Sequence, residues 1–235
     1  MCCLRICSQK KNSNVIKENQ TVEEVNMDDK NKIAWLESYY QGQNLPIQEI
    51  NLIGIRDTTD IAKDIINDTL GYWTKDKIFL CRGTTDPSVF YTLDKASRHP
   101  SGTFHLDNGW HEKIWRIGTH KGYEALVNKW DSKPELCCKP TRGWRDANYN
   151  FVQDVNETLI KDWVGVNLHR MHETVLQKVI GKYSAGCQVV QDIKNFRHII
   201  DTVKSTEMYK KQPLVNFNYM MFLINEVPIE FLEGQ

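Results

Sequence analysis

Residues 163–170 read Trp-Val-Gly-Val-Asn-Leu-His-Arg, and along them apolar side chains alternate with small or polar ones. This period of two predicts a half-buried β-strand that carries Val164, Val166 and Leu168 on its apolar face. His169 then projects from the opposite face at the end of the strand, where a loop begins. Short runs with strand character recur along the chain, which indicates a mainly β fold.

A cysteine follows this histidine at a spacing that favours nucleophilic chemistry. Residues 184–187 read Ser-Ala-Gly-Cys, so Cys187 stands eighteen positions after His169. A thiol is a strong nucleophile as its thiolate, and an imidazole within hydrogen-bond reach commonly supports that state near neutral pH. Gly186 permits a tight turn whose N–H groups can point at a developing oxyanion. The pattern predicts base, nucleophile and oxyanion donors in one place.

The segment after the cysteine predicts a helix. Asp192 is a suitable N-cap, and apolar residues recur at helical spacing from Ile193 to Val203. Cys187 is therefore expected shortly before a helix begins. The alternative is that Cys187 is a small buried side chain, because free cysteine is among the most buried residue types. The strand-end histidine, the glycine and the helix start together favour the nucleophile.

These features in this order resemble the catalytic core of the YkuD-type L,D-transpeptidases, which are cysteine acyltransferases that act on peptidoglycan stem peptides. The resemblance implies a β-rich, sandwich-like catalytic domain and an acyl-enzyme mechanism with Cys187 as nucleophile and His169 as base. Ser184 and Gly186 match the family's Ser-His-Gly-Cys turn, and the match covers roughly 25 residues. Ala185 departs from the family, because a histidine normally stands there.

The remainder of the chain, including residues 83–87, looks like phage-encoded proteins with the same Ser-Ala-Gly-Cys-Gln core, which implies a bacteriophage origin. The leading hypothesis is a transferase or hydrolase of the cell wall that acts on peptidoglycan peptides or other small peptide-like substrates. The alternative is a phage-encoded binding or counter-defence protein that captures a small ligand or host factor in the same cleft. A virion component with an idle cleft is a third possibility.

Several polar residues are candidates for roles beside the cysteine and histidine. Asp146 is a candidate third member of a triad that orients His169, and Arg145 or Arg170 is a candidate for bidentate binding of a substrate carboxylate. The loop around residues 142–150 can equally be an exposed turn held by its own salt bridges.

Two further candidates for substrate contact come from strands. His120 ends a predicted strand, and Asn167 shares a face with His169. His105, His111 and His120 do not have the close spacing of a metal site, so we expect structural histidines and no metal. Residues 84–87, Thr-Thr-Asp-Pro, follow an apolar run and are interpreted as a capped turn slightly in preference to a substrate contact.

Composition limits the class of partner. Thirty basic and thirty acidic residues leave no formal net charge, so the positive field of a nucleic-acid or anionic-membrane binder is missing. No glycine-rich phosphate loop stands out, and no cofactor is predicted. Seven cysteines with adjacent pairs at 2–3 and 137–138 do not resemble a disulfide framework and fit reduced thiols in a cytosol.

The sequence also predicts location and domain boundaries. No secretion signal or apolar run long enough to span a membrane occurs, so the protein is expected to be cytoplasmic as synthesised. Because peptidoglycan lies outside the cytoplasm, release at lysis or carriage in a virion would bring it to the substrate. Residues 1–45 are expected to be a flexible tail with one short helix at 29–41, and residues 46–235 an L,D-transpeptidase-like catalytic domain.

The fold class follows from the distribution of short strands. Many such strands with only two or three peripheral helices predict a mainly β sandwich or barrel. The last run is expected to be a central strand that closes the fold. The strands are expected at residues 51–56, 77–82, 89–93, 103–106, 113–118, 164–169 and 215–225.

Overall fold

The computed structural model describes residues 27–232. Residues 1–26 of the predicted tail lie outside the described residues. The helices are α1 (Asp29–Gly42), α2 (Val89–Leu93), α3 (Ile193–Ser205) and α4 (Glu207–Lys211), with short 3-10 helices at Ile61–Lys63, Ile224–Glu226 and Ile229–Phe231. The strands are β1 (Asn51–Arg56), β2 (Asp68–Trp73), β3 (Ile78–Thr84), β4 (Thr103–Leu106), β5 (Gly109–His120), β6 (Tyr123–Val127), β7 (Thr141–Asp146), β8 (Ile160–Asp162), β9 (Leu168–Arg170), β10 (Gln188–Val190) and β11 (Phe217–Leu223).

Eight strands close into a barrel, and three form a second sheet. The barrel order is β1-β11-β5-β6-β9-β10-β3-β2, and the second sheet has the order β4-β7-β8. Within the barrel, β1 pairs in parallel with β11 and β9 in parallel with β10, whereas the other neighbours are antiparallel. Closure leaves no unpaired edge in the barrel. The predicted mainly β architecture with few helices is confirmed.

The barrel interior holds the main hydrophobic core. Trp115, Tyr219 and Leu168 are fully buried there. Helix α3 adds its apolar face to the same core, and Asp192 caps its first turn by accepting a hydrogen bond from the Lys194 N–H at 2.7 Å. The helix therefore lies where the cap and the spacing of its apolar residues predicted it.

Helix α1 packs on the outside of the barrel. Leu36 and Tyr40 join Ile53, Trp73 and Phe222 in a second buried cluster. Side chains alternate along β1, so that Leu52 faces the central core while Ile53 faces the helix. The helix expected at 29–41 therefore packs against the barrel, although the sequence predicted it within a flexible tail that ends at residue 45.

Two predicted strands differ from the structure. Residues 89–93 form helix α2 and not a strand, because the Ser88 hydroxyl caps it by accepting from the Tyr91 N–H at 3.2 Å. The strand expected at 164–169 begins only at Leu168. Gly165 has a φ of +76°, which interrupts an extended backbone.

Candidate functional site

Cys187 lines a cleft of about 460 Å³ between the barrel and the second sheet. The turn that precedes β10 forms one wall. Phe104 on β4 and Arg145 on β7 contribute from the second sheet, and Arg98 and His99 from the loop before β4. The residue is half-buried and lines the cleft, although its thiol is surrounded by protein. This position is compatible with attack on a bound substrate.

Ser184 builds the turn and does not face the substrate. Its hydroxyl donates to the Cys187 carbonyl at 2.8 Å and accepts from the Gly186 N–H at 3.2 Å. Its own carbonyl accepts from the Ser88 N–H at 2.9 Å, which ties the turn to the start of α2. Ser184 is fully buried, so its contribution is to shape the loop that carries the thiol.

Gly186 is required by both conformation and space. Its φ is +122°, a region that side chains rarely adopt, and a Cβ atom there would lie 2.4 Å from the Phe104 carbonyl oxygen. The second sheet therefore packs directly on the turn. This close approach explains the glycine before the cysteine, in the place where the sequence predicted it.

The turn leaves two amides for an oxyanion. The Gly186 N–H is already bonded to the Ser184 hydroxyl. The N–H groups of Ala185 and Cys187 make no hydrogen bond within residues 27–232. Of the turn N–H groups that the sequence predicted as donors to an oxyanion, only those of Ala185 and Cys187 remain without a partner among the described residues. Both residues flank Gly186 on the turn that lines the cleft.

The Cys187 sulfur is held beside the chain that leads into β9. The Asn167 N–H lies 3.5 Å from Sγ, and the Gly165 carbonyl oxygen lies 3.8 Å from it. Burial raises the pKa of the Cys187 thiol, and the Asn167 N–H and the positive charge of Lys121 oppose this shift without cancelling it. At neutral pH the group is accordingly a thiol.

His169 shares a face of the sheet with Cys187 but makes no hydrogen bond to it. Leu168 pairs with Gln188 and both point into the barrel, so the flanking His169 and Cys187 project from the other face. No hydrogen bond joins the imidazole to the sulfur. The thiol–imidazole hydrogen bond that the spacing predicted is therefore absent from this structure.

The imidazole is oriented by backbone. Nδ1 of His169 lies 2.8 Å from the Arg170 carbonyl oxygen, which can only accept, so Nδ1 carries the proton. The Tyr123 hydroxyl lies 3.3 Å from the same nitrogen. Burial lowers the pKa of His169 to about 3, although the bond to the Arg170 carbonyl opposes that shift. His169 is thus neutral with Nε2 unprotonated, but a pKa this far below neutral makes it a weak general base.

Asp146 does not orient His169. Its carboxylate accepts from the backbone N–H groups of Asn150 and Phe151, each at 2.9 Å, and so fixes its own loop. The reason is topological, because Asp146 ends β7 in the second sheet whereas His169 lies in the barrel. The Arg170 carbonyl takes the place that the sequence assigned to this carboxylate.

The two candidate arginines have separate environments. Arg145 lines the cleft with Cys187, and one of its N–H groups donates to the Gly102 carbonyl at 2.9 Å. Arg170 lines a different cavity of about 310 Å³. Its guanidinium lies 4.2 Å from the centre of the Tyr123 ring and 3.2 Å from a Glu173 oxygen. Arg145 is therefore the arginine placed to meet a substrate at Cys187.

His120 and Asn167 lie beside His169, outside the cysteine cleft. The His120 ring stacks on the His169 ring with centroids 4.4 Å apart and planes 19° from parallel. The Asn167 side chain accepts from the Asn128 N–H at 2.9 Å and contacts His120 Nδ1 at 3.1 Å. Its polar atoms are thus occupied by protein, which does not fit the predicted substrate contact.

Sequence reasoning missed three residues at the site. Tyr123 approaches His169, while Phe104 and Arg98 line the cleft. Each comes from a strand or loop distant in sequence, and none carries a local motif. Only the pairing of β6 with β9, and the packing of the second sheet on the turn, brings them there.

The Thr-Thr-Asp-Pro segment is capped as predicted, because the Thr84 hydroxyl accepts from the Asp86 N–H at 3.1 Å, and it lies in a buried network. Nε of Arg56 lies 3.0 Å from an Asp86 oxygen, and its Nη2 donates to the Thr85 carbonyl at 3.0 Å. Asp68 accepts from the Thr85 N–H at 2.6 Å. All these side chains are buried, so no substrate reaches them.

The three histidines considered for a metal are dispersed. His105 stacks on Trp144 with centroids 4.2 Å apart, and His111 and His120 stand at different points of β5. Within residues 27–232 no group of three or more histidine, cysteine or acidic side chains is arranged to bind a metal ion.

Comparisons with family models, curated proteins and solved structures found no match to this chain. Among the described residues, no helix has the length and apolar character needed to cross a membrane.

Proposed function

We propose that the protein is a cysteine acyltransferase or peptidase that acts on peptidoglycan stem peptides, with Cys187 as nucleophile and His169 as base. The observation that carries the proposal is the position of Cys187 in an open cleft, on a turn whose Ala185 and Cys187 amides are unoccupied. The resemblance of the His169 to Cys187 segment to L,D-transpeptidases supplies the substrate class and an L,D-transpeptidase-like fold.

In the proposed reaction, Sγ of Cys187 attacks a peptide carbonyl while its proton passes to Nε2 of His169. No hydrogen bond joins the two groups at rest, so the transfer follows a rotation of the thiol or passes through a water molecule. The turn amides stabilise the oxyanion. The C–N bond then breaks, the proton goes to the leaving amine, and a thioester remains on Cys187.

Water or an acceptor amine completes the cycle. Either nucleophile attacks the thioester, gives up a proton to His169 and releases the thiol, which yields hydrolysis or transfer. Arg145, in the wall of the same cleft, binds a carboxylate of the acyl donor in this proposal. Delivery to the cell wall at lysis or in a virion belongs to the same proposal.

The test is product formation from stem tetrapeptides, followed by mass spectrometry with and without an added amine. Wild type is expected to release the terminal residue, and Cys187→Ala to release none. Cys137→Ala is the matched control, because it removes a half-buried thiol outside the cleft. Activity that survives in Cys187→Ala would refute the proposal.

One observation favours a second function, in which the cleft captures a small ligand without chemistry. Burial raises the pKa of the thiol, and the thiol makes no hydrogen bond to His169. Thermal-shift measurements against muropeptides and nucleotides separate the two functions, because a bound ligand stabilises the folded state. Stabilisation by nucleotides alone would favour capture of a ligand.

A further inference from the structure

The rings of His120 and His169 stack on each other, and the side-chain amide of Asn167 connects the His120 ring to the backbone in a fixed orientation. The Asn128 N–H is a donor, so the Asn167 atom 2.9 Å from it must be the carbonyl oxygen Oδ1. The other end of the amide is then the NH₂ group, which lies 3.1 Å from Nδ1 of His120. Nδ1 of His120 therefore accepts, and the proton of the neutral ring is on Nε2.

His169 has the opposite tautomer. Its Nδ1 donates to the Arg170 carbonyl, so the lone pair is on Nε2. The two rings stack nearly face to face at 4.4 Å. Two imidazolium charges at that distance repel strongly in a partly buried site, so protonation of one ring opposes protonation of the other.

We propose that His120 is a positioning residue for His169. Asn167 holds His120 as the Nε2–H tautomer, and the stacked ring supports the orientation that the Arg170 carbonyl gives His169 and adds to the effect of burial in keeping it neutral. The role in catalysis rests on the proposed function of His169 as base, whereas the tautomers do not depend on it. Nε2 of His120 is buried and has no partner within the described residues, so nothing else fixes this ring through that atom.

Other charged and titratable groups also face the imidazole pair and contribute to its titration. Lys121 and Arg170 oppose protonation of His169, as does His120 itself. Tyr123 and Cys187 are uncharged in the relevant pH range, because burial raises the pKa of each. The test must therefore change His120 and Asn167 while it leaves these four groups in place.

The experiment is long-range ¹H–¹⁵N correlation NMR on the full chain labelled with ¹⁵N-histidine, recorded as a function of pH. Wild type is expected to show His120 as Nε2–H and His169 as Nδ1–H. In Asn167→Asp the residue offers only acceptors to His120, so Nδ1 of His120 is expected to become protonated. In His120→Asn the titration of His169 is expected to move to higher pH.

His198→Asn is the control, because His198 is an exposed residue whose ring contacts Tyr72 and Phe79, away from His169. It is expected to leave both tautomers and the titration of His169 unchanged. His120 as Nδ1–H in wild type would overturn the inference, as would an unchanged His169 titration in His120→Asn. If a variant does not fold, the wild-type tautomers alone decide.

The outcome is distinguishable from that of the proposed function. The expected tautomers with no acyl adduct on Cys187 would refute the catalytic proposal and leave the positioning of the rings intact. An adduct on Cys187 with the other His120 tautomer would overturn only the role of His120 and Asn167.

Discussion

At the scale of single residues, Gly186 decides the geometry of the candidate site. It lets the second sheet approach the turn, and the approach places Cys187 at the wall of the cleft. Ser184 then holds the turn by two hydrogen bonds that use its hydroxyl as donor and acceptor. The Ser-x-Gly-Cys pattern is therefore explained first by backbone geometry, and the chemistry depends on that geometry.

Gly186→Ala is expected to lower the free energy of unfolding by about 3 kcal/mol, because it combines an unfavourable φ with a clash against the Phe104 carbonyl. Gly181→Ala is the control, since Gly181 has a φ of +56° but open space around it. We expect the control to cost about 1 kcal/mol. Urea denaturation measures both values, and equal losses would contradict the account.

The reactivity of Cys187 is expected to depend on pH in a defined direction. The ordinary pKa of a cysteine thiol is 9.0, and burial raises the pKa of Cys187 above it. The thiolate fraction of Cys187 therefore continues to increase above pH 9. The rate of iodoacetamide labelling, followed on the Cys187 peptide by mass spectrometry, should rise through that range. A plateau below pH 8 would instead indicate a thiolate–imidazolium pair.

At the scale of elements, the spacing of apolar residues correctly predicted the strands and helices that have one apolar face. Strand β1 and helix α3 appear where the pattern indicated. Residues 89–93 were predicted wrongly because their aromatic and β-branched side chains favour strands. Their helix depends on the Ser88 cap and on a bond from the Thr92 hydroxyl to the Ser88 carbonyl at 3.0 Å. Such polar contacts are weak signals in a sequence.

The cap of α3 gives a prediction at this scale. Asp192→Ala is expected to destabilise the protein by about 1 kcal/mol, because the Lys194 N–H loses its acceptor. Asp192→Asn keeps an acceptor and should cost much less. The two variants are compared by chemical denaturation, and an Asn variant as unstable as the Ala variant would count against capping.

At the scale of the whole molecule, Arg56 links the barrel to the second sheet. Its Nη1 donates to the Leu106 carbonyl at 2.9 Å, while its Nε pairs with Asp86. Burial raises the pKa of Asp86 and the Arg56 charge opposes that shift, so removal of the arginine leaves the carboxyl group without its partner. The relative position of the two sheets, and with it the cleft, depends on this pair.

Arg56→Met is therefore expected to lower the free energy of unfolding by about 4 kcal/mol. Arg142→Met is the matched control, because Arg142 pairs with Asp107 at 2.7 Å but 38% of its side chain is exposed. This surface pair should contribute no more than about 1 kcal/mol. Denaturation of both variants gives the comparison, and similar losses would argue against the buried link.

The same scale explains what the sequence left undetermined at the site. Cys187, Ser184 and Gly186 form one local turn, so their association was predictable. The partners of His169 come from β6 and β5, and the cleft wall comes from β4 and β7. Asp146 was assigned to His169 wrongly, because a short-range pattern contains no information on which sheet faces which. The partners of His169 and the wall of the cleft depend on which strands and sheets pack together in the folded protein.

The central claim, that Cys187 forms an acyl-enzyme, is tested most directly by intact-protein mass spectrometry after exposure to a carbapenem. We predict one adduct with the full mass of the antibiotic, mapped to Cys187 and absent from Cys187→Ala. The adduct should form at least about a hundredfold more slowly in His169→Asn. Equal labelling of wild type and Cys187→Ala, or no adduct on the wild-type protein, would contradict the claim.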